Sequence, residues 1–170
     1  MNEELAVNTR ARYHGHMNWL DYDTENCSVQ RTLDVIGDRW SVLILREVFN
    51  GIRRFDQIRQ HTGISDSVLA NRLRRLVDDD VLRAVDYAEP GARRRKEYRL
   101  TDAGLDLQPV LLSLLAWGDA HRSDPSGPAL QIGHDGCGAH VHLELRCDDG
   151  HRITDPSAVH AEPGPGARRI

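Results

Sequence analysis

Residues 63–100 constrain most strongly how this 170-residue chain can fold. They contain a helical pattern that is followed at once by two strand-like runs. The runs cover 81–87 and 97–100 and flank a basic loop that follows a Pro90-Gly91 turn signal. In the helical part the apolar residues recur at three- and four-residue spacing, as in a helix with one buried face: Val68, Leu69, Leu73 and Leu76. A free helix face beside a basic loop suits a polyanionic partner.

The preceding residues predict three more helices. Gly37 divides the first apolar stretch in two, Asp38 is placed to cap the second helix, and Asn50-Gly51 ends it. A short helix beginning near Asp56 ends at Gly63, and Ser65 is the expected N-cap of the next helix. Two helices joined by a short turn with a glycine form the pattern of a helix-turn-helix motif.

An apolar helix is predicted after the second strand, from Thr101 through LDLQPVLLSLLAWGDAHR. Pro109 lies inside it and should kink it, because proline has no backbone N–H to donate. The apolar content exceeds what one small domain would bury. Pairing with a second copy of the chain is the expected use, and simple core packing is the alternative.

Charge and composition change along the chain. Residues 31–99 contain 15 Lys and Arg against 11 Asp and Glu, whereas the other residues contain 7 against 15, so the net charge of −4 conceals a basic middle. The predicted divisions are an N-terminal arm, a core domain, a Pro/Gly/Ser-rich linker, a small β-like Cys/His-containing appendage and a disordered tail: 1–26, 27–122, 123–130, 131–156 and 157–170.

Membrane insertion and secretion are not expected. No apolar run approaches the roughly 20 residues that span a bilayer, and the N-terminus lacks a secretory layout. Three cysteines, an odd number, do not form a secreted disulfide framework. A cytoplasmic protein is therefore predicted.

The motifs from residue 27 to about residue 121 resemble, in their order, the HxlR family of bacterial winged helix-turn-helix regulators, which are MarR-like. They read CSVQRTLDVIGDRWSVLILREVFNGIRRFDQIRQ, then GISDSVLANRLRRL, then KEYRLTDAGLDLQPVL. The resemblance implies a mainly α fold with a small β-wing and a homodimer built by N- and C-terminal helices. It implies double-stranded DNA as the partner, no catalytic residues and no required cofactor.

The resemblance also implies which residues meet DNA. The recognition helix of the family matches residues 65–77 and enters the major groove, and the loop between the strands is the wing. Candidates for bases or nearby phosphates are Ser65, Ser67, Asn71 and Arg72. Candidates for the phosphate backbone or minor groove are Arg74, Arg75, Arg93, Arg94, Arg95 and Lys96. For any single arginine the alternative is ordinary solvated surface.

Asp80 departs from the family pattern. It stands after the recognition helix where such proteins usually have glycine, and aspartate tolerates a left-handed backbone less well than glycine does.

Cys27 matches a cysteine that recurs in HxlR proteins, some of which sense quinones, aldehydes or oxidants through it. A thiol near a helix N-terminus can have a lowered pKa, so that more of the nucleophilic thiolate is available. Cys27 is therefore a candidate redox sensor. The alternative is a small buried residue at a helix start.

The appendage carries two Cys/His pairs, His134-x2-Cys137 and Cys147-x3-His151. Thiolate and imidazole suit a tetrahedral zinc ion, so His134, Cys137, Cys147 and His151 are candidate ligands. Related regulators sometimes carry a C-terminal zinc ribbon whose second pair would be Cys-x2-Cys, which is not the spacing here. Loss of the metal is the alternative to substitution by His151.

The sequence thus predicts a sequence-specific DNA-binding transcriptional regulator, of repressor type, that responds to a small-molecule effector or to an oxidant or electrophile. One alternative is a dimeric winged-helix module that binds protein. The other is a metal-dependent enzyme using His61, Cys27 and Cys137. The sequence contains no nucleophile elbow, phosphate loop or HExxH spacing, which disfavours the enzyme.

Overall fold

The computed structural model describes residues 18–88 and 94–170. The chain forms two compact units, one over Ser28–Leu143 and one that combines Met1–Cys27 with Glu144–Ile170. The larger unit includes residues 123–143, and the five divisions drawn from composition stay a prediction. In the described part of the chain, no helix is long and apolar enough to cross a membrane.

The larger unit is mainly α-helical with one β-hairpin, which confirms the predicted fold class. Helices α3 and α4 form the helix-turn-helix, and strands β1 and β2 form the wing. In chain order the elements are α1 (Ser28–Ile36), α2 (Arg39–Phe49), α3 (Phe55–Thr62), α4 (Asp66–Asp78), β1 (Leu82–Tyr87), β2 (Arg95–Leu100), α5 (Asp102–Leu105) and α6 (Gln108–Arg122).

Local signals set the helix ends where the sequence predicted them. The Asp38 carboxylate accepts hydrogen bonds from the backbone N–H groups of Trp40 and Ser41, at 3.0 and 3.1 Å, and so caps α2. Gly63 ends α3 in the left-handed region, with φ +70°. Ser65 occupies the N-cap position of α4, but its side chain makes no capping hydrogen bond.

The core lies mainly between α2 and α4. Leu69, Leu73 and Leu76 face inward from α4 and are at most 1% exposed, which confirms the periodicity argument. They pack with further buried apolar residues from α2, α3 and the hairpin: Ile44, Leu45, Val48, Ile58, Val81 and Leu82. Each fully buried aliphatic side chain contributes about 1.5–3 kcal/mol of transfer free energy, so this cluster holds α4 in place.

The wing strands pair antiparallel, from Leu82 opposite Leu100 to Tyr87 opposite Arg95. Strand β2 begins two residues earlier than predicted, because Arg95 and Lys96 pair with Tyr87 and Asp86 of β1. These two cations therefore lie in the ladder and not in the loop. The predicted Pro90-Gly91 turn and Arg93 lie outside the described residues.

The prediction of one long helix after β2 is wrong, because the segment forms two helices, α5 and α6. Thr101 caps α5, its hydroxyl accepting from the Gly104 N–H at 3.0 Å, and α5 ends at Leu105. Pro109 lies in the first turn of α6, where no backbone donor is required, and so does not kink a helix interior. Gly104 approaches the backbone of Val81 so closely that an added Cβ would lie 2.2 Å from the Val81 carbonyl oxygen.

The smaller unit contains a two-stranded ladder, β3 (Leu145–Arg146) with β4 (Arg152–Ile153), and short 3₁₀ turns at Trp19–Asp21 and Pro156–Ala158. The C-terminal residues, predicted to be disordered, make backbone hydrogen bonds with the N-terminal segment. Ile170 N–H donates to the Asp21 carbonyl and Asp23 N–H to the Arg168 carbonyl, both at 3.0 Å. Among its described residues, 18–27 and 144–170, none is buried.

Candidate nucleic-acid interface

A polar stripe runs along the solvent side of α4. Ser67, Asn71 and Arg74 follow one another at four- and three-residue spacing, which places them on one side of a helix, and all three are exposed. Ser65 and Arg75 are also exposed. Most of the α4 residues predicted to meet DNA are therefore accessible from the side opposite the leucines.

Arg72 is the exception on α4. Its side chain is only 25% exposed, and Nε lies 3.2 Å from Oδ1 of Asp38. Nε is shielded from solvent and has no well-aligned hydrogen-bond partner, so the contact is ionic. The guanidinium is thus engaged at the N-terminus of α2 and is not presented freely on the polar stripe.

The start of α4 carries an acid that would oppose phosphate. Asp66 is exposed, and its Oδ1 accepts from Nη1 of Arg59 on α3 at 3.2 Å. This exposed pair contributes little stability, but it places a positive charge beside the carboxylate. The ion pair offsets the charge of Asp66 at the end of the helix nearest the turn.

The wing contributes exposed cations beside the helix-turn-helix. Arg94, Arg95 and Lys96 are exposed, and Nη1 of Arg95 lies 3.8 Å from Oδ2 of Asp56 on α3. Arg95 and Lys96 are consecutive strand residues, so their side chains leave opposite faces of the ladder.

The segment before α3 joins the wing, which the sequence did not predict. The Tyr98 N–H donates to the Arg53 carbonyl at 2.8 Å, and Arg54 forms a β-bridge with Glu97. The Arg54 guanidinium also lies 4.5 Å from the Tyr87 ring centroid. These contacts link the wing to the helix-turn-helix. The one sequence feature that marks this segment is the Arg53-Arg54 pair directly before the apolar Phe55.

A buried carboxylate connects α2 to α3. Glu47 is fully buried, and its Oε1 accepts from Nε of Arg46 at 2.9 Å. Its Oε2 lies 2.5 Å from Nδ1 of His61, near the end of α3. His61, considered for an enzyme site from sequence, is therefore engaged in a structural contact.

Cys27 lies directly before α1. It is half-buried, carries a free thiol, and its N–H donates to the Thr24 carbonyl at 3.0 Å. Cys137 and Cys147 are also free and are exposed. No disulfide links cysteines in the described part of the chain.

The predicted zinc ligands divide between the two units. In the larger unit, Nδ1 of His134 lies 3.4 Å from Sγ of Cys137. In the smaller unit, Sγ of Cys147 lies 3.5 Å from Nδ1 of His151, with Asp149 beside them. The four-residue set remains a prediction from the sequence.

Large apolar side chains are exposed on α1 and on α6. They are Val29 and Leu33 on α1, and Val110, Leu114 and Trp117 on α6. A groove of ≈ 530 Å³ also lies between α2, α6 and the segment 130–133, with Leu43, Phe49, Leu111 and Leu115 among its lining residues.

A helix-turn-helix with an exposed polar face, linked to a two-stranded wing, defines a DNA-binding transcriptional regulator of the winged-helix class. The chain belongs to the HxlR-like helix-turn-helix family, whose model matches residues 35–125. Proteins of this family are transcriptional regulators and not enzymes, and they generally need no cofactor.

Two relatives illustrate the membership. Rv3095 of Mycobacterium tuberculosis, an uncharacterized HTH-type transcriptional regulator, is 42% identical over 148 residues, which cover 86% of this chain and 92% of the relative. The HTH-type regulator YdeP of Bacillus subtilis is 34% identical over 107 residues, which cover 61% of this chain and 82% of the relative.

Solved structures share the fold. PA1607, described as a candidate transcription factor, is 34% identical with a TM-score of 0.73, and the match covers 82% of this chain and 96% of that one. The redox regulator HypR in its reduced form is 31% identical with a TM-score of 0.51, and the match covers 56% of this chain and 93% of that one.

Proposed function

We propose that this regulator is a homodimeric, sequence-specific repressor whose operator affinity falls when an oxidant, electrophile or small molecule acts on the dimer. The observation that carries the proposal is the exposed stripe of Ser67, Asn71 and Arg74 along α4, beside the wing cations. The amide of Asn71 can pair with adenine in the major groove, whereas Arg74 and Arg75 suit phosphate.

Arg72 takes a positioning role in this proposal. Its ion pair with Asp38 joins α4 to the N-terminus of α2 and leaves the guanidinium only 25% exposed. Base reading then depends mainly on Asn71, Ser67 and Ser65, and Arg72 fixes the angle at which α4 is presented.

The proposed dimer uses the exposed apolar residues of α1 and α6. Leu33, Leu114 and Trp117 are each more than half exposed, and clustered apolar surface of this kind is typical of association sites. A two-fold dimer would present two α4 helices to paired half-sites on one duplex.

Cys27 is the proposed target of an oxidant or electrophile. Its thiol is free and half-buried at the start of α1, a helix assigned to the dimer in this proposal. HypR, one of the structural neighbours, is a redox regulator, which supports the same kind of signal here. The groove between α2 and α6 supports the small-molecule alternative, since its volume is that of ordinary ligand pockets.

The test is binding of the full chain to duplex DNA from the region upstream of its own gene, followed by footprinting. Affinity should fall linearly on a log–log plot with salt concentration, and one dimer should protect paired half-sites. Absence of salt-dependent binding to any duplex would instead favour the protein-binding module. In transcription assays, occupancy should lower transcript yield.

Cys27→Ser separates the signals. The variant should bind the operator normally and should stay bound when an oxidant or electrophile is added. Cys137→Ser and Cys147→Ser should release DNA as the parent protein does. Normal release by Cys27→Ser removes the thiol from the mechanism and leaves the groove as the candidate.

A further inference from the structure

The turn between β3 and β4 gathers three metal-binding side chains. Sγ of Cys147, a carboxylate oxygen of Asp149 and Nδ1 of His151 all lie within 4.8 Å of one another. Gly150, with φ +81°, makes the tight turn, and its N–H donates to the Cys147 carbonyl at 2.8 Å. The Cys147 N–H donates in turn to the His151 carbonyl at 3.2 Å, so the backbone holds the cluster together.

The distance between sulfur and nitrogen fits zinc. Zinc binds thiolate sulfur at about 2.3 Å and imidazole nitrogen at about 2.0–2.1 Å, so a tetrahedral angle separates the two ligand atoms by about 3.5 Å. Sγ of Cys147 and Nδ1 of His151 are 3.5 Å apart. An S–H···N hydrogen bond is the alternative explanation for this pair, and the Asp149 carboxylate adds a third donor atom within 4.8 Å.

The nearby arginines are engaged elsewhere. Arg146 and Arg152 both pair with Glu144, at 2.8 and 3.1 Å, and Nη1 of Arg146 donates to the Gly150 carbonyl at 3.1 Å. Within residues 18–88 and 94–170 no ion pair to Asp149 is found. A cysteine sulfur, a carboxylate oxygen and an imidazole nitrogen this close together are donor atoms that suit a zinc ion.

In its described residues the smaller unit has no buried core to stabilise it, so another interaction must do so. The ladder consists of two residue pairs, Leu145 with Ile153 and Arg146 with Arg152, and none of the unit's described residues is buried. A hairpin of this size is marginal by itself, and small units without a core commonly depend on disulfides or metals. The cysteine of the hairpin, Cys147, is free, which leaves it available to a metal.

We propose that Cys147, Asp149 and His151 form a zinc site with a fourth position open to water or another donor. The zinc would tie the two ends of the turn together and stabilise the β3–β4 hairpin. This three-ligand set differs from the sequence prediction, which combined Cys147 and His151 with His134 and Cys137. The His134–Cys137 turn has a similar S–N separation, 3.4 Å, but no third ligand joins it among the described residues.

The test is calorimetric titration of the metal-free, reduced full chain with zinc, supported by cobalt absorption spectra that report thiolate ligation. The parent protein should bind one zinc at this site. Cys147→Ser and His151→Gln should weaken binding on the order of 100-fold, and Asp149→Asn should weaken it about 10-fold. Asp148→Asn, which changes an adjacent exposed carboxylate, is the matched control and should bind like the parent.

Cys137→Ser and His134→Gln decide between the two ligand sets. Both should leave this zinc affinity unchanged, and equal loss in them would overturn the three-ligand site in favour of the four-residue set. Absence of zinc binding by the parent, or full binding by Cys147→Ser, would also overturn the proposal. Because the substituted side chains are exposed, circular dichroism should show the helical unit intact in every variant, and DNA binding is scored separately.

Discussion

Arg72 of α4 lies against Asp38, the N-cap of α2, with 3.2 Å between Nε and Oδ1. Asp38 already accepts two backbone hydrogen bonds at the start of α2, so one carboxylate serves both a helix cap and an interhelical ion pair. The orientation of α4 and the start of α2 are therefore linked through a single side chain.

Replacing Arg72 should destabilise the protein more than replacing an exposed arginine of the same helix. Arg72→Ala removes a partly buried charge partner and should lower the free energy of unfolding by about 1–3 kcal/mol. Arg74→Ala is the matched control and should change it by less than about 0.5 kcal/mol. Urea denaturation measures both. Equal effects would show that the Arg72–Asp38 contact does not contribute to the free energy of unfolding.

Stability should depend on pH through Asp38. Burial raises the pKa of this carboxyl, but the hydrogen bonds from Ser41, the charge of Arg72 and the Trp40 N–H outweigh burial and hold the pKa below its ordinary value of 3.8. The unfolded chain therefore binds more protons as the solution is acidified, and stability is lost as pH falls through the folded-state pKa.

The measurement is the free energy of unfolding from about pH 5 downward, since the loss begins as the unfolded carboxyl starts to titrate. Asp38→Asn should be less stable at neutral pH and should show a shallower acid slope than the parent protein. Ser41→Ala, which removes one of the hydrogen bonds, should fall between them. An unchanged slope in Asp38→Asn would assign the acid sensitivity to other carboxylates.

Among residues 18–88 and 94–170, Asp80 is the one non-glycine residue with a left-handed backbone, at φ +55°. Asp80→Gly should relieve this conformation and raise the free energy of unfolding by roughly 0.5–1 kcal/mol. Asp79, with φ −86°, is an ordinary helix C-cap, so Asp79→Gly should lower stability. Thermal denaturation distinguishes the two, and stabilisation by both variants would point to charge and not to backbone strain.

The wing cations should supply affinity without sequence choice. Alanine at Arg94, Arg95 and Lys96 should weaken binding to all duplexes by similar factors and reduce the salt slope by about 0.9 for each phosphate that is no longer neutralised. Arg83→Ala is the control, because Arg83 lies on β1 near the end of the ladder away from the loop. Weakening confined to one operator would contradict the phosphate assignment.

Asn71 should determine sequence preference. Asn71→Ala is expected to relax discrimination at one operator position, by about 1–3 kcal/mol, because the side chain can no longer form a bidentate pair of hydrogen bonds with adenine. Arg75→Ala should weaken binding more evenly across sequences. Competition among operators with single base changes measures both effects, and unaltered preference in Asn71→Ala would remove this residue from base reading.

Local sequence signals predicted much of the larger unit. Gly37, Asp38, Gly63 and Ser65 placed helix ends correctly because caps and left-handed turns depend on neighbouring residues alone. The leucines of α4 were placed inward because helical periodicity is also local. The α3–α4 motif and its exposed polar face followed from the same signals.

Contacts between distant residues could not be read from the same signals. Arg72 looked available to DNA because its partner, Asp38, is 34 residues away in the chain. The start of β2 at Arg95 depends on pairing with Tyr87, and the Arg53–Tyr98 contact joins separate elements. The helix break before Pro109 reflects the preceding capped turn of α5, whereas an apolar count across 101–122 suggested one continuous helix.

The close approach of Gly104 to the Val81 carbonyl gives position 104 an evolutionary meaning. Even alanine would force α5 away from the residue that leads into β1, whereas an added Cβ at Gly118 would meet nothing within 4 Å. Substitutions should therefore be tolerated at Gly118 and selected against at Gly104. A descendant that replaced Gly104 would have to re-route the chain between its wing and its last helix.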